Sequence, residues 1–168
     1  YIMTKTIILT HQEIEHKARR MAYQIYETFD SESEIVIAGI SKSGFVFAQM
    51  LAEKLSRISN INVIICEVEI DKQNPSAPIK TSLKPEEYSH KGLVLVDDVL
   101  NSGATLVYGV RHFLDVPLKK FKTAVLVDRN HKNFPVKADF KGISLSTSLM
   151  EHVQVVFEKE GNCAYLTV

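Results

Sequence analysis

The sequence predicts an α/β fold: a single domain over residues 1–168, built on a parallel sheet flanked by helices, with a small C-terminal subdomain. Three features carry that expectation. Aliphatic runs near residues 35, 63, 94 and 123 alternate with segments of helical periodicity, the rhythm of parallel strands joined by right-handed crossovers. The run GLVLVDDVLNSGAT at 92–105 passes from a strand suited to burial on both faces, through an acid pair, into a turn of small residues and a helix. From Phe134 onward the alternation gives way to short β-like pieces.

Taken in order, Thr6–Leu9 reads as a short strand or lead-in. Thr10 is placed to cap a helix that begins near His11 or Gln12, with Glu13 in the capping-box position. Ile14, Ala18, Met21, Ala22, Ile25, Tyr26 and Phe29 keep helical spacing to about Thr28, while Arg19 and Arg20 read as solvated charges. Ile35–Ile40 is a short apolar strand, Ser41-Lys42-Ser43-Gly44 a small loop, and Phe45 to about Arg57 a helix. Ile61–Ile70 begins as a buried strand and ends as an alternating one. Periodicity then fails from Asp71 to about His90, and a stretch of roughly 20 residues without pattern inside a compact domain points to a functional lid.

In the central run, Leu93–Val96 is the strand and Asp97 and Asp98 close it. The helix that follows the turn, with Leu106, Val107, Val110, Phe113 and Leu114 on its apolar face, is stopped near Pro117. Phe121–Val127 is a further buried strand, closing on Asp128-Arg129-Asn130-His131. Ile143–Leu145, Val153–Phe157 and Ala164–Val168 are the β-like pieces of the terminal subdomain.

The small residues of the central run indicate an anion. Amide N–H groups at a helix start have no partner within the helix, so a loop without bulk can wrap a phosphate, and the hydroxyls of Ser102 and Thr105 could add donors. Two carboxylates do not suit that phosphate. They suit sugar hydroxyls, a divalent cation, or positive charge that develops during a reaction. Lys42 brings a cation to a second turn of the same kind.

Composition narrows the class without naming it. Hydrophobic residues make up 45% and charged residues 24%, which is globular, and 20 basic against 20 acidic residues leave no global nucleic-acid footprint. Cys66 and Cys163 stand in no metal-ligand spacing and read as free thiols of a cytoplasmic protein. No run approaches the roughly 18 apolar residues of a membrane span, and no signal peptide is apparent at the N-terminus, where Met3 is one candidate start.

LVLVDDVLNSGAT resembles the ribose-diphosphate signature of the type I phosphoribosyltransferases: a hydrophobic strand, two acidic residues, two variable positions and a Thr/Ser-Gly-x-Thr loop. The segments THQEIEHKARRMAYQIYE, IVIAGISKSGFVFAQMLAEKL and AVLVDRNHKNFPVKADFKG are similar to one branch of that family, the pyrimidine-operon attenuation regulators that are also uracil phosphoribosyltransferases. The resemblance covers nearly the whole chain. It implies the type I phosphoribosyltransferase fold, with a flexible loop at about 71–90 and a hood at about 134–168. It also implies transfer of the 5-phosphoribosyl group of phosphoribosyl diphosphate to a nucleobase, uracil before a purine, with Mg2+, in a cytoplasmic homodimer serving nucleotide salvage and pyrimidine metabolism.

Residue by residue, the resemblance implies that Asp97 and Asp98 hold the ribose hydroxyls and reach Mg2+ directly or through those hydroxyls or water. Val99 and Leu100 are the variable positions, and Asn101, Ser102, Gly103, Ala104 and Thr105 bind the 5-phosphate. Ser41, Lys42, Ser43 and Gly44 hold the departing diphosphate. Asp128, a candidate general base, and Arg129 border the base pocket; Phe140 packs near the base, and Asp139 orders the hood. The branch carries Thr-Arg-Gly where this chain has Lys42-Ser43-Gly44, and its Tyr-Arg-Asp-Asp loop signature is replaced by Asp71-Lys72-Gln73-Asn74. The alternative reading is a nucleotide-sensing RNA-binding regulator, with Lys17, Arg19, Arg20, Lys119, Lys120, Lys122, His131, Lys132 and Lys137 available for a basic face.

Overall fold

The computed structural model describes residues 4–159 and 161–168, so the start at Tyr1, Ile2 and Met3 lies outside the described residues. In chain order the elements are β1 (Lys5–Leu9), α1 (His11–Phe29), β2 (Glu34–Ile40), α2 (Ser43–Ile58), β3 (Asn62–Glu69), β4 (Lys80–Thr81), α3 (Pro85–Tyr88), β5 (Gly92–Leu100), α4 (Ala104–Phe113), β6 (Lys120–Asp128), β7 (Phe140–Ser144), β8 (His152–Val156) and β9 (Cys163–Thr167). The six-stranded sheet runs β4-β3-β2-β5-β6-β7, parallel throughout except for β4, which returns antiparallel on β3.

Each central strand is buried on both faces, as its aliphatic run requires. Ile35, Ile37, Val94, Val96, Ala124 and Leu126 join α1 and α2 in one core, whereas Val36, Ala38, Leu93, Leu95 and Val125 join Tyr88 of α3 and Leu106 and Phe113 of α4 in the other. Helix α1 begins where Thr10 caps it: Thr10 Oγ1 accepts from Glu13 N at 3.3 Å and the Glu13 carboxylate accepts from Thr10 N at 3.2 Å. Such a cap stabilises a helix by about 1 kcal/mol.

Three boundaries differ from the sequence-based expectation. Strand β5 does not stop at the acid pair but runs on to Leu100, pairing Val99 with Val127 and Leu100 with Asp128. Its alternation slips there, since Val96 and Val99, three residues apart, share the α1–α2 core. The terminal subdomain is also assembled differently from a 134–168 block. Phe140–Ser144 belongs to the main sheet as its edge strand, while Lys5–Leu9, from the other end of the chain, completes an antiparallel β1-β9-β8 sheet. That sheet packs on the α1–α2 side through Val155 and Ala164, and Phe157 stacks on Phe47 with centroids 6.1 Å apart. Residues 71–90 are not pattern-free either: they carry the β4 return and the single turn of α3, whose Tyr88 is buried edge-on against Phe113.

One close approach sets the frame of the site. A Cβ on Gly39 of β2 would stand 2.5 Å from Phe45 Cα and 2.7 Å from Ala48 Cβ, so α2 lies directly on the strand. Gly39→Ala should push the helix away and lower stability by about 1–3 kcal/mol. Urea denaturation would register this as a lower midpoint at unchanged slope.

Candidate active site

Because β2 and β5 are adjacent and parallel, the loops that follow them emerge at the same carboxyl edge, where open α/β sheets bind ligands. Ser41–Gly44 and Asp97–Thr105 therefore meet. A Cβ on Gly44 would stand 2.9 Å from Asp97 Oδ1, so only glycine lets the first loop lie against the acid pair. The turn into α2 is made by Lys42, a non-glycine residue at φ 58°, ψ −101°. A conformation of that kind costs on the order of 1–3 kcal/mol and is held in place by its surroundings. Here the Ser41 N–H donates to Val68 O at 2.8 Å and the Val46 N–H to Lys42 O at 2.9 Å.

The acid pair is inside the protein, with Asp97 only 3% exposed. Its oxygens are oriented by the strand itself: Asp97 Oδ1 accepts from Asp98 N at 2.9 Å and Asp98 Oδ1 from Val99 N at 2.8 Å. Lys72, from the segment after β3, reaches across to place its Nζ 3.3 Å from Asp97 Oδ1 and 3.7 Å from Asp98 Oδ1. Burial, and then the neighbouring Asp98 carboxylate, push the Asp97 acid up to about 8 in spite of the lysine. Burial alone would lower the Lys72 ammonium, but the combined pull of Asp97 and Asp98 outweighs it and raises the group. The two rises have opposite origins: burial and a like charge favour the neutral acid, whereas the carboxylates favour the charged lysine.

On the far side, Gly103 at φ 89° caps α4 with no side-chain hydrogen bond of its own, leaving the Thr105 and Leu106 amides of a ten-residue helix to the site. Ser102 Oγ accepts from Ala104 N at 3.3 Å, and Ser102 O is fixed by Asn133 N at 2.7 Å and Phe134 N at 3.1 Å. A cavity of about 180 Å³ lies between Lys72 and Asp97 on one side and Asn101, Ser102, Gly103 and Thr105 on the other, with Val99 and Leu100 in its wall. Ser41, Lys42, Ser43 and Gly44 do not line this cavity; they abut it through the Gly44–Asp97 contact.

The other expected residues divide. Asp128 stands at the same edge, paired with Leu100 and Ser144, its Oδ1 accepting from Asn130 N at 3.0 Å. Arg129 is buried, and its guanidinium is spent on protein partners at Asn101, Thr147, Ser148 and Glu151. Phe140 must be corrected. It opens β7 opposite Ala124, four residues before the Ser144–Asp128 pair at the carboxyl edge, and it is buried in the α1–α2 core. An apolar ring at the amino end of a strand packs under the helices and does not reach the edge. Asp139 accepts from Thr123 N at 3.0 Å, fastening the lead into β7 and not the small sheet. The residues considered for a basic face are partly committed as well: Arg20 donates to Lys141 O and Gly142 O, Lys119 to Glu32, Lys120 to Thr28 O, and the His131 ring meets Thr147 O.

Two residues at the site had no signal in the sequence. Lys72 is 25 positions from its carboxylate partner, and Thr147 is 18 from Arg129. As for a metal, two carboxylates that already face one ammonium suit a cation. Among the described residues no group of three or more His, Cys, Asp or Glu is arranged to hold one, so further oxygens would have to come from a bound ligand. Cys66 and Cys163 are both free, and no helix of the described residues is long and apolar enough to cross a membrane.

A doubly wound sheet whose central strand carries an acid pair near its carboxyl end, before a glycine-capped phosphate-type loop, is the architecture of a phosphoribosyltransferase. The phosphoribosyl transferase domain family matches residues 5–158, and the chain belongs to that family. It is 33% identical over 166 residues to the Bifunctional protein PyrR of Brevibacillus brevis, covering 92% of this chain and 90% of that one. To the Bifunctional protein PyrR of Bacillus pumilus it is 32% identical over 163 residues, covering 90% and 89%. Among solved structures, a hypoxanthine-guanine phosphoribosyltransferase of Bacillus anthracis superposes with TM-score 0.70 at 24% identity over 86% of this chain and 84% of that one. The hypoxanthine phosphoribosyltransferase of Trypanosoma cruzi in complex with the product IMP superposes with TM-score 0.76 at 20% identity over 90% and 83%. At those identities the two structures show the shared fold. The type I phosphoribosyltransferase fold expected from the central run is thus the fold found.

The Asp97 proton has a consequence for stability. Its acid is at about 8 in the folded chain and at about 3.9 when unfolded. The folded state therefore holds a proton that the unfolded state releases across that window. The resulting stabilisation is complete below the lower value and is lost as pH rises toward the upper one. The melting temperature should fall between about pH 4 and about pH 8, the window between the two values, and Asp97→Asn should flatten the fall; parallel pH profiles for both proteins would refute the assignment.

Proposed function

We propose that the chain transfers the 5-phosphoribosyl group of phosphoribosyl diphosphate to a nucleobase, uracil first and a purine as the alternative, with release of diphosphate. The observation that carries this reading is the single cavity with Asp97 on one wall and the Asn101–Thr105 loop on the other. The Thr105 and Leu106 amides at the start of α4, with the hydroxyls of Ser102 and Thr105, suit the 5-phosphate. Asp97 and Asp98 suit the ribose hydroxyls and the positive charge that grows on the ring as the anomeric C–O bond to diphosphate breaks. Lys42, in the turn that abuts the acid pair, suits the departing diphosphate.

In the transfer a ring nitrogen of the base bonds to the anomeric carbon, the diphosphate takes the C–O electron pair, and the N–H proton leaves. Asp128, at the end of the next strand, is the protein group proposed to receive that proton. Mg2+, carried with the donor, would supply neutralisation of the diphosphate charge, with Asp97 and Asp98 reaching it directly or through ribose hydroxyls or water. Segment 71–90, which places Lys72 over the acid pair, is the proposed lid. The preference for uracil rests on the similarity to the PyrR proteins over nine-tenths of the chain. The same similarity supports a cytoplasmic role in nucleotide salvage and pyrimidine metabolism, and a homodimer whose mass light scattering would give.

A second reading, regulation through RNA, is favoured by the similarity to proteins named bifunctional. The pairing of Arg20, Lys119, Lys120 and Lys137 within the fold leaves Lys17, Arg19, Lys122 and Lys132 as its main cations. A mobility-shift measurement with pyrimidine leader RNA, with and without UMP, tests it; no shift in either case removes it.

The decisive assay for the enzyme reading mixes the protein, Mg2+ and phosphoribosyl diphosphate with single bases and measures diphosphate. Release is expected with uracil, hypoxanthine or guanine, and none with any base at saturating donor would overturn the reading. Asp98→Asn should lower kcat/KM by about 100-fold or more, the scale of removing one group aimed at developing charge.

A further inference from the structure

We propose that Arg129 is a positioning residue that ties the phosphate loop to the 145–151 segment, so that the donor and acceptor sides of the cavity are held at one separation; this rests on the phosphoribosyltransfer reading. Arg129 directly follows the last residue of β6, and its backbone N–H donates to Leu100 O at 3.1 Å, one residue before Asn101. The guanidinium then divides. One Nη donates to Asn101 Oδ1 at 3.0 Å, on the phosphate loop. Nε and the other Nη close on Thr147 Oγ1 at 3.0 and 2.9 Å, and that second Nη also reaches Ser148 O at 3.2 Å and Glu151 O.

The rest of the 128–131 motif fastens the same segment. Leu145 N donates to Asp128 O at 2.7 Å, the His131 ring meets Thr147 O, and the segment closes on itself where Ser148 N donates to Glu151 Oε2 at 2.6 Å. Arg129 and His131 thus turn their polar groups toward residues 145–151, and Arg129 also turns toward Asn101.

Stability alone is a poor reason for this arrangement. Arg129 is 9% exposed, and the partners described for it are neutral: a hydroxyl, a side-chain amide oxygen and two carbonyls. A buried cation without a carboxylate costs free energy that a packed apolar residue would not. The planar fork, however, spans two elements at fixed angles, which a lysine cannot do. It also keeps a positive charge beside the loop proposed to hold a phosphate.

The test uses Thr147→Val and Arg129→Lys in the full chain, with Mg2+-phosphoribosyl diphosphate affinity measured by calorimetry in the absence of any base. Thr147 does not line the cavity and meets Asn101 only through Arg129, so the coupling predicts that Thr147→Val weakens donor affinity by about threefold to tenfold, the size of couplings carried through a bonded network. The acceptor KM should rise by at least as much while kcat changes less. Arg129→Lys should weaken both sides further, because an ammonium cannot span both elements. If Thr147→Val leaves donor affinity at the wild-type value, or Arg129→Lys lowers only the melting temperature and active fraction at unchanged KM, Arg129 is structural and the proposal is overturned. Should Arg129→Lys fail to fold, the Thr147→Val donor affinity decides. Wild-type protein that binds neither the donor nor a nucleoside monophosphate would instead remove the functional reading, and this proposal with it.

Discussion

Two carboxylates set side by side in the interior are the constraint around which this edge of the protein is arranged. An ionised pair in such a place is expensive unless something answers its charge. The chain answers in three ways: Asp97 and Asp98 accept amides from the strand that bears them, one acid is favoured in its protonated form, and Lys72 supplies a cation from a different segment. The glycine at position 44 follows from the same demand for space, since its missing side chain lets the Lys42 turn close against Asp97. The strained backbone at Lys42 belongs to that approach.

What could be read from the sequence was what is written locally. Strands buried on both faces must be aliphatic throughout, so β2, β5 and β6 were legible, and the Thr10–Glu13 cap narrowed the start of α1 to His11 or Gln12, the first of which is the start found. The central site was legible for the same reason: strand, acid pair, glycine turn and helix lie within one short run. Pairings that span the chain leave no local mark. Nothing in KTIIL reveals that it lies beside the final strand, with Lys5 opposite Thr167, and nothing in FKGIS separates an edge strand of the main sheet from a piece of the small one. Phe140 was misplaced because a motif gives neighbours along the chain and not which end of a strand a residue occupies. Strand β5 overran its expected stop because the aspartates accept from their own backbone instead of breaking the ladder.

The small sheet shows how the ends of the chain serve the middle. By joining β1 to β9 it fastens the first strand onto the core that α1 and α2 form with the sheet, and Phe157 meets Phe47 one turn into α2, the helix that carries the Lys42 loop. The 145–151 segment leads from β7 into this sheet, so the residues that Arg129 grips are held at one end by the main sheet and at the other by β8.

Lys72 gives the acid pair a further property. With an ammonium already seated before both carboxylates, the arrival of any other cation is an exchange and not an addition. The free energy of such an event is a difference between two ion contacts, and part of the incoming charge is spent releasing the old partner into solvent. The contact that Lys72 gives up is lost in the same step, so cation occupancy beside Asp97 and the placing of Lys72 are thermodynamically linked.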